Sequence, residues 1–197
     1  PPSAADTVEV EETVFEESVI EPPVVEQPRV LISEVLIEGI EGHPEEERLQ
    51  ISTYDAMQVR PGMRVTREEL QNDLNGIQAT GWFSDVRIVP QNGPLGVQVV
   101  VQVEPFPSLS AVEISADDEA LLPDAVVEET FASDYGRTLN LNDLQQRMKA
   151  LQSWMASEGY SLARVSGPER VSPDGVVTLK LLQGSVAGVE VKFLNKE

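Results

Sequence analysis

Residues 60–88 read RPGMRVTREELQNDLNGIQATGWFSDVRI, and this stretch decides the fold because it passes from a well-marked helix into a strand across one glycine. Thr66-x-x-Glu69 has the pattern of a capping box, in which the hydroxyl accepts from a backbone N–H one turn on and the carboxylate reaches back to the cap's own N–H. Leu70, Leu74 and Ile77 follow at i, i+4 and i+7, so one side of the helix is apolar. Gly81 supplies the residue type at which helices commonly end. Beyond it, Phe83 to Val89 read as a strand.

Working outward from there, Pro90-Gln91-Asn92-Gly93-Pro94 makes a corner. Val97, Val99, Val101 and Val103 then alternate with Gln98, Gln102 and Glu104, which predicts the second strand of a hairpin with one wet face. Upstream, residues 31–38 partly alternate and predict another strand. A weakly marked helix begins near Pro44, with Glu45, Glu46 and Glu47 at its positive end. The unit is therefore strand, helix, helix, strand, strand.

The same unit recurs. Val35-x-Ile37, Val112-x-Ile114 and Val189-x-Val191 fall at intervals of 77 residues, and residues 61–83 align with 135–160 at an offset that sets Gly62 on Gly136 and Leu70 on Leu144. In the second copy Pro123-Asp124 opens a short helix whose Val127 and Phe131 share a face. Asn140 and Asp143 then start a longer one with Leu144, Met148, Leu151 and Met155 on one side. Gly159-Tyr160 answers Gly81-Trp82, and strands at Ser161 to Val165 and Val176 to Leu182 flank Ser172-Pro173-Asp174-Gly175. The expected fold class is α+β: tandem β-α-α-β-β units, each a three-stranded mixed sheet covered on one face by two helices. The expected divisions are an acidic, proline-bearing extension at 1–29, units at 30–105 and 106–183, and the first strand of a third unit at 184–197.

Composition narrows the function. Among 197 residues there are 34 Asp+Glu against 14 Lys+Arg, a net charge of −20, no cysteine and one histidine, His43. So acidic a surface repels phosphate backbones, which disfavours a nucleic-acid partner. Disulfides and thiolate chemistry are excluded, and one histidine leaves no two-His metal site. No apolar run of about 18 residues predicts a membrane helix, and no basic region with an apolar core predicts a signal peptide, so a soluble, mature or trimmed piece is expected. Residues 1–29 hold eight acids, one base and five prolines, a composition for an extended tether, or for a segment that pairs its valines with a sheet edge. Paired catalytic carboxylates are not repeated from copy to copy, so no enzyme, cofactor or metal site is expected.

The stretch quoted first, followed by VQVVVQVEPFPSLSAVEIS at 97–115, resembles the polypeptide-transport-associated (POTRA) domains that precede the barrel in BamA-type outer-membrane assembly factors. The shared features are the Gly-aromatic-Phe-x-x-Val junction and a Val-rich strand ending in Glu-Pro. The acidic extension before few such units looks most like the cyanobacterial and chloroplast branch. The resemblance implies a periplasmic, non-enzymatic module, or its counterpart in a chloroplast envelope. It would receive unfolded outer-membrane proteins by β-augmentation at a sheet edge and hand them to a C-terminal β-barrel. The implied alternatives are a scaffold for accessory periplasmic or lipoprotein subunits, and the substrate-capture module of a two-partner secretion transporter.

In that family the second strand of the unit is the exposed edge. The resemblance therefore points to Ser84, Asp85, Val86, Arg87 and Ile88, with Leu162 and Arg164 in the second copy. Against this, Val86 and Ile88 also read as core, and Asp85 and Arg87 as charges that keep an edge from aggregating. Glu104, Pro105, Phe106 and Pro107 form the first joint, stiffened by two prolines, and Gly184 marks a freer second one. Trp82 and Phe83 are expected under the sheet, Trp154 is a candidate for the contact between units, and His43 and the runs Glu45-Glu46-Glu47 and Asp117-Asp118-Glu119 are expected in solvent.

Overall fold

The structure, a computed structural model, describes residues 26–116 and 121–184. Its elements run β1 (Val30–Glu38), α1 (Glu46–Ala56), β2 (Arg64–Val65), α2 (Arg67–Ala79), β3 (Phe83–Gly93) and β4 (Gly96–Pro105), then β5 (Ala111–Ala116), α3 (Asp124–Phe131), α4 (Leu141–Ser157), β6 (Arg164–Val171) and β7 (Val176–Leu182). Two sheets result, ordered β2-β1-β4-β3 and β5-β7-β6. In each, the last strand lies in the middle, parallel to the first and antiparallel to its hairpin partner. None of the helices among the described residues is long and apolar enough to cross a membrane.

The local signals act as their chemistry requires. Thr66 Oγ1 accepts from Glu69 N–H at 3.2 Å while the Glu69 carboxylate accepts from Thr66 N–H at 2.7 Å. Asn140 caps α4, its Oδ1 accepting from Asn142 and Asp143 N–H. Leu70 and Ile77 join Val99, Val101 and Val103 in one core; Leu144, Met148, Leu151 and Met155 join Val177, Leu179 and Leu181 in another. Each core is thus a helix stripe laid on alternate residues of the central strand.

The first sheet has four strands where three were expected. Gly62 adopts φ +89° and folds the chain back so that it donates to Ile32 O at 2.7 Å while Ile32 N–H donates to Met63 O at 2.9 Å, which starts the two-residue β2. The second unit repeats this turn: Gly136 donates to Leu109 O and Leu109 N–H to Arg137 O, both at 2.8 Å, ending in a single bridge between Ser108 and Thr138. A two-residue strand carries no periodicity and could not be read from sequence. Leu162 is also corrected: it lies before β6, in a turn closed by Ala163 N–H donating to Tyr160 O at 3.1 Å, so the strand begins at Arg164 rather than Ser161.

Trp154 is partly buried against the core of its own unit, and Phe83 is buried as expected. His43 is half-buried rather than free in solvent, its Nδ1 accepting from Glu45 N–H at 3.0 Å. At the N-terminal side Arg29 donates to Arg64 O at 3.0 Å and pairs with Glu69 at 3.5 Å. Residues 1–25, the acidic run at 117–119 and the strand expected within 184–197 fall, apart from Gly184, outside the described residues.

Candidate functional site

The first sheet ends at β3, which pairs with β4 and with no other strand among the described residues. In an antiparallel ladder alternate residues turn their N–H and C=O away from the partner, so an edge strand presents a row of unpaired backbone groups. Side chains divide as the pleat dictates. Val86 is 4% exposed and Ile88 packs on the same core. Asp85 and Arg87 form a salt bridge at 2.8 Å on the other face, and exposed Ser84 donates to Glu104 O at 3.1 Å. The five candidates therefore lie on one strand, but only Ser84, Asp85 and Arg87 offer side chains to a partner.

The matching edge in the second sheet, β6, is a poorer one. Its ladder with β7 is broken between Ser166 and Arg170, and Pro168 within the gap has no N–H to offer. Arg164 begins the strand but turns its guanidinium back to donate to Ser161 O and Ala163 O, both at 3.0 Å.

The joint contains most of the residues that sequence reasoning missed. Pro105 ends β4, Phe106 N–H donates to Trp82 O at 3.0 Å with its ring in the second core, and Leu139 N–H donates to Pro107 O at 3.0 Å. Three more links cross from one unit to the other. Leu141 N–H donates to Gly81 O at 2.9 Å, Asn140 Nδ2 to Thr80 O at 2.8 Å, and Asn142 Nδ2 to Ala79 O at 3.0 Å. The Glu45 carboxylate accepts from both the N–H and the hydroxyl of Thr138 and is held from behind by Arg48, whose guanidinium lies 4.6 Å from the centre of the Trp82 ring. The Thr138 hydroxyl, above all, holds the Glu45 pKa down to about 2 against the opposing effect of burial. A cleft of about 60 Å³ remains between Arg48, Trp82, Phe131 and Arg137, too small for a typical ligand.

One signal for these contacts was available. Where α2 is capped by Thr66, α4 is capped by Asn140, and an amide that accepts through its oxygen keeps two N–H donors for a neighbour.

Known proteins share this arrangement. The first two POTRA domains of the periplasmic domain of Omp85 from Anabaena are 43% identical, with a TM-score of 0.72 over 82% of this chain and 99% of that one. The chain belongs to the POTRA domains of the Omp85 family. The N-terminal domain of Omp85 from Thermosynechococcus elongatus is also 43% identical, with a TM-score of 0.69 over 79% of this chain and 63% of that one. A family model described as "POTRA domain, ShlB-type" matches residues 110–184. Chloroplastic outer envelope protein 80 of rice is 27% identical over 84% of this chain, and that of Arabidopsis 25% over all of it. The chain spans 25% and 27% of the length of these two relatives. It is thus of the cyanobacterial and chloroplast kind, a POTRA segment at the periplasmic or equivalent face of an outer membrane.

Proposed function

We propose that this POTRA segment receives unfolded outer-membrane polypeptides, holds them weakly as an added strand along β3 and the start of β6, and passes them to a membrane barrel of the same full-length protein. Residues 30–105 and 106–183 act as successive modules, and 184–197 open a third. The observation that carries the reading is the outer border of β3, which meets no strand among the described residues and offers main-chain hydrogen bonds to any extended segment regardless of its side chains. Ordering a flexible client costs free energy at every residue, which keeps the affinity low enough for release.

Site-specific photo-crosslinking tests this. Probes at Ser84, Arg87 and Arg164 are expected to capture unfolded outer-membrane proteins and scrambled apolar peptides alike; Val86, being buried, is unsuited to carry one. Control probes belong at Gln71 and Asn75, exposed on α2. Stronger capture from the helix than from the strands would rule the edge mechanism out. Tight capture of one folded partner, with no unfolded client, would favour a scaffold instead.

A further inference from the structure

The second sheet has another border, β5, which no sequence signal singled out. Residues Ala111–Ala116 pair with Val176–Leu181 in unbroken register, with no proline and no bulge, and the far side of β5 meets no strand among the described residues. Beside it runs an open groove of about 780 Å³ between the strand and α3. Ile114, Leu122 and Val127 give it an apolar floor, Glu113, Asp124 and Glu128 line its rim, and no lysine or arginine is among its lining residues. The opposite border of the same sheet is different in both respects, since β6 is interrupted and displays Arg164 and Arg170.

The chain itself shows how a strand lies along such a border. Arg64–Val65 pairs with Leu31 and Val30 at the start of β1, where the second unit has the Ser108–Thr138 bridge, while residues 111–116 lie past that bridge with no strand on their outer side among the described residues. Val65 is buried to 1% exposure while Arg64 stays in solvent. An apolar residue goes in and its cationic neighbour stays out, because successive side chains on a strand point to opposite faces.

We propose that the β5–α3 groove is a second docking surface, which takes an extended polypeptide segment alternating apolar residues with lysine or arginine. The apolar side chains enter the groove on the α3 side, the cations within the added strand meet Glu113 on the open face, and a cation just beyond its end meets the carboxylates of α3 at the rim. Backbone pairing along β5 supplies the affinity, and the single sign of the rim supplies the selection. The site adds to the reading above but does not depend on β3.

Because the chain has no cysteine, one introduced at Ser115 on β5 or at Ser84 on β3 gives a unique label. Both positions are exposed. Each full-length labelled variant is titrated with two synthetic peptides, one alternating valine and lysine, the other valine and glutamate. At Ser115 the lysine peptide is expected to bind on the order of tenfold more tightly, with the preference weakening as salt is raised. Glu113→Lys combined with Glu128→Lys, both exposed and with folding checked by circular dichroism, is expected to abolish or reverse that preference. No response at Ser115, or equal affinity for both peptides, overturns the proposal, as does a preference that survives the double charge reversal. A response at Ser84 alone leaves the β3 reading standing and removes this one; a response at Ser115 alone does the opposite.

Discussion

Glu45 looks in the sequence like one member of a solvated acidic run, yet it is the carboxylate that binds the two units together. Its ordinary pKa of 4.5 falls to about 2 in the folded chain, so its contribution is complete above pH 4.5 and drains away as the pH drops towards 2. Spin labels on Gln71 and Lys149 are expected to report one narrow distance from neutral pH down to about 4.5, and a broad one near 2. Glu45→Gln and Thr138→Val should each broaden that distance at neutral pH and cost about 1–2 kcal/mol, with the double variant costing less than the sum. Asp73 is a second residue of this kind. It stands within the apolar stripe of α2, is 3% exposed, and its two oxygens accept from Gln58 and Val59 N–H at 2.9 Å each. Asp73→Ala leaves the buried Val59 N–H and the part-buried Gln58 N–H without their acceptor and should destabilise by about 1–3 kcal/mol in urea unfolding. A carboxylate among leucines is visible in a sequence, but its acceptors' partners on another loop are not.

Among the elements, those made by neighbours in sequence were legible. The capping box at Thr66 and the cap at Asn140 rest on bonds that span a few residues and stand where the pattern put them. Both hairpins form, but β3 runs on through residues 90–93, which read as the corner, and β6 spans Arg164–Val171 instead of 161–165. β2 and the start of β6 were not legible, since each depends on a turn whose hydrogen bonds reach a distant strand or pull the chain out of the ladder. The groove beside β5 was equally hidden, because it exists only where α3 fails to close against an edge. Gly175 marks how tightly a turn can be tied to another element. A Cβ there would lie 1.8 Å from Ser108 O, and its φ of +84° is one that side chains rarely adopt. Gly175→Ala should therefore lower the melting temperature more than Leu151→Ala, which removes part of the second core at a cost of about 2–5 kcal/mol.

For the whole molecule, repetition was the strongest message in the sequence, and it reached down to single hydrogen bonds: the pairs at Ile32 and Leu109 are copies of one another. What repetition could not convey is the joint, because Glu45 and Thr138 meet across 93 positions and Asn140 and Thr80 across 60. The position of the last strand has a further consequence. β4 separates β1 from β3, and β7 separates β5 from β6, so in both sheets the middle of the fabric is woven last. A chain delivered from its N-terminus through an export channel has nothing to join its outer strands until residues 96–105, and later 176–182, have emerged. Each half must then snap shut in one event, and a nascent chain halted just short of either segment is left as two sticky ribbons in need of a guardian.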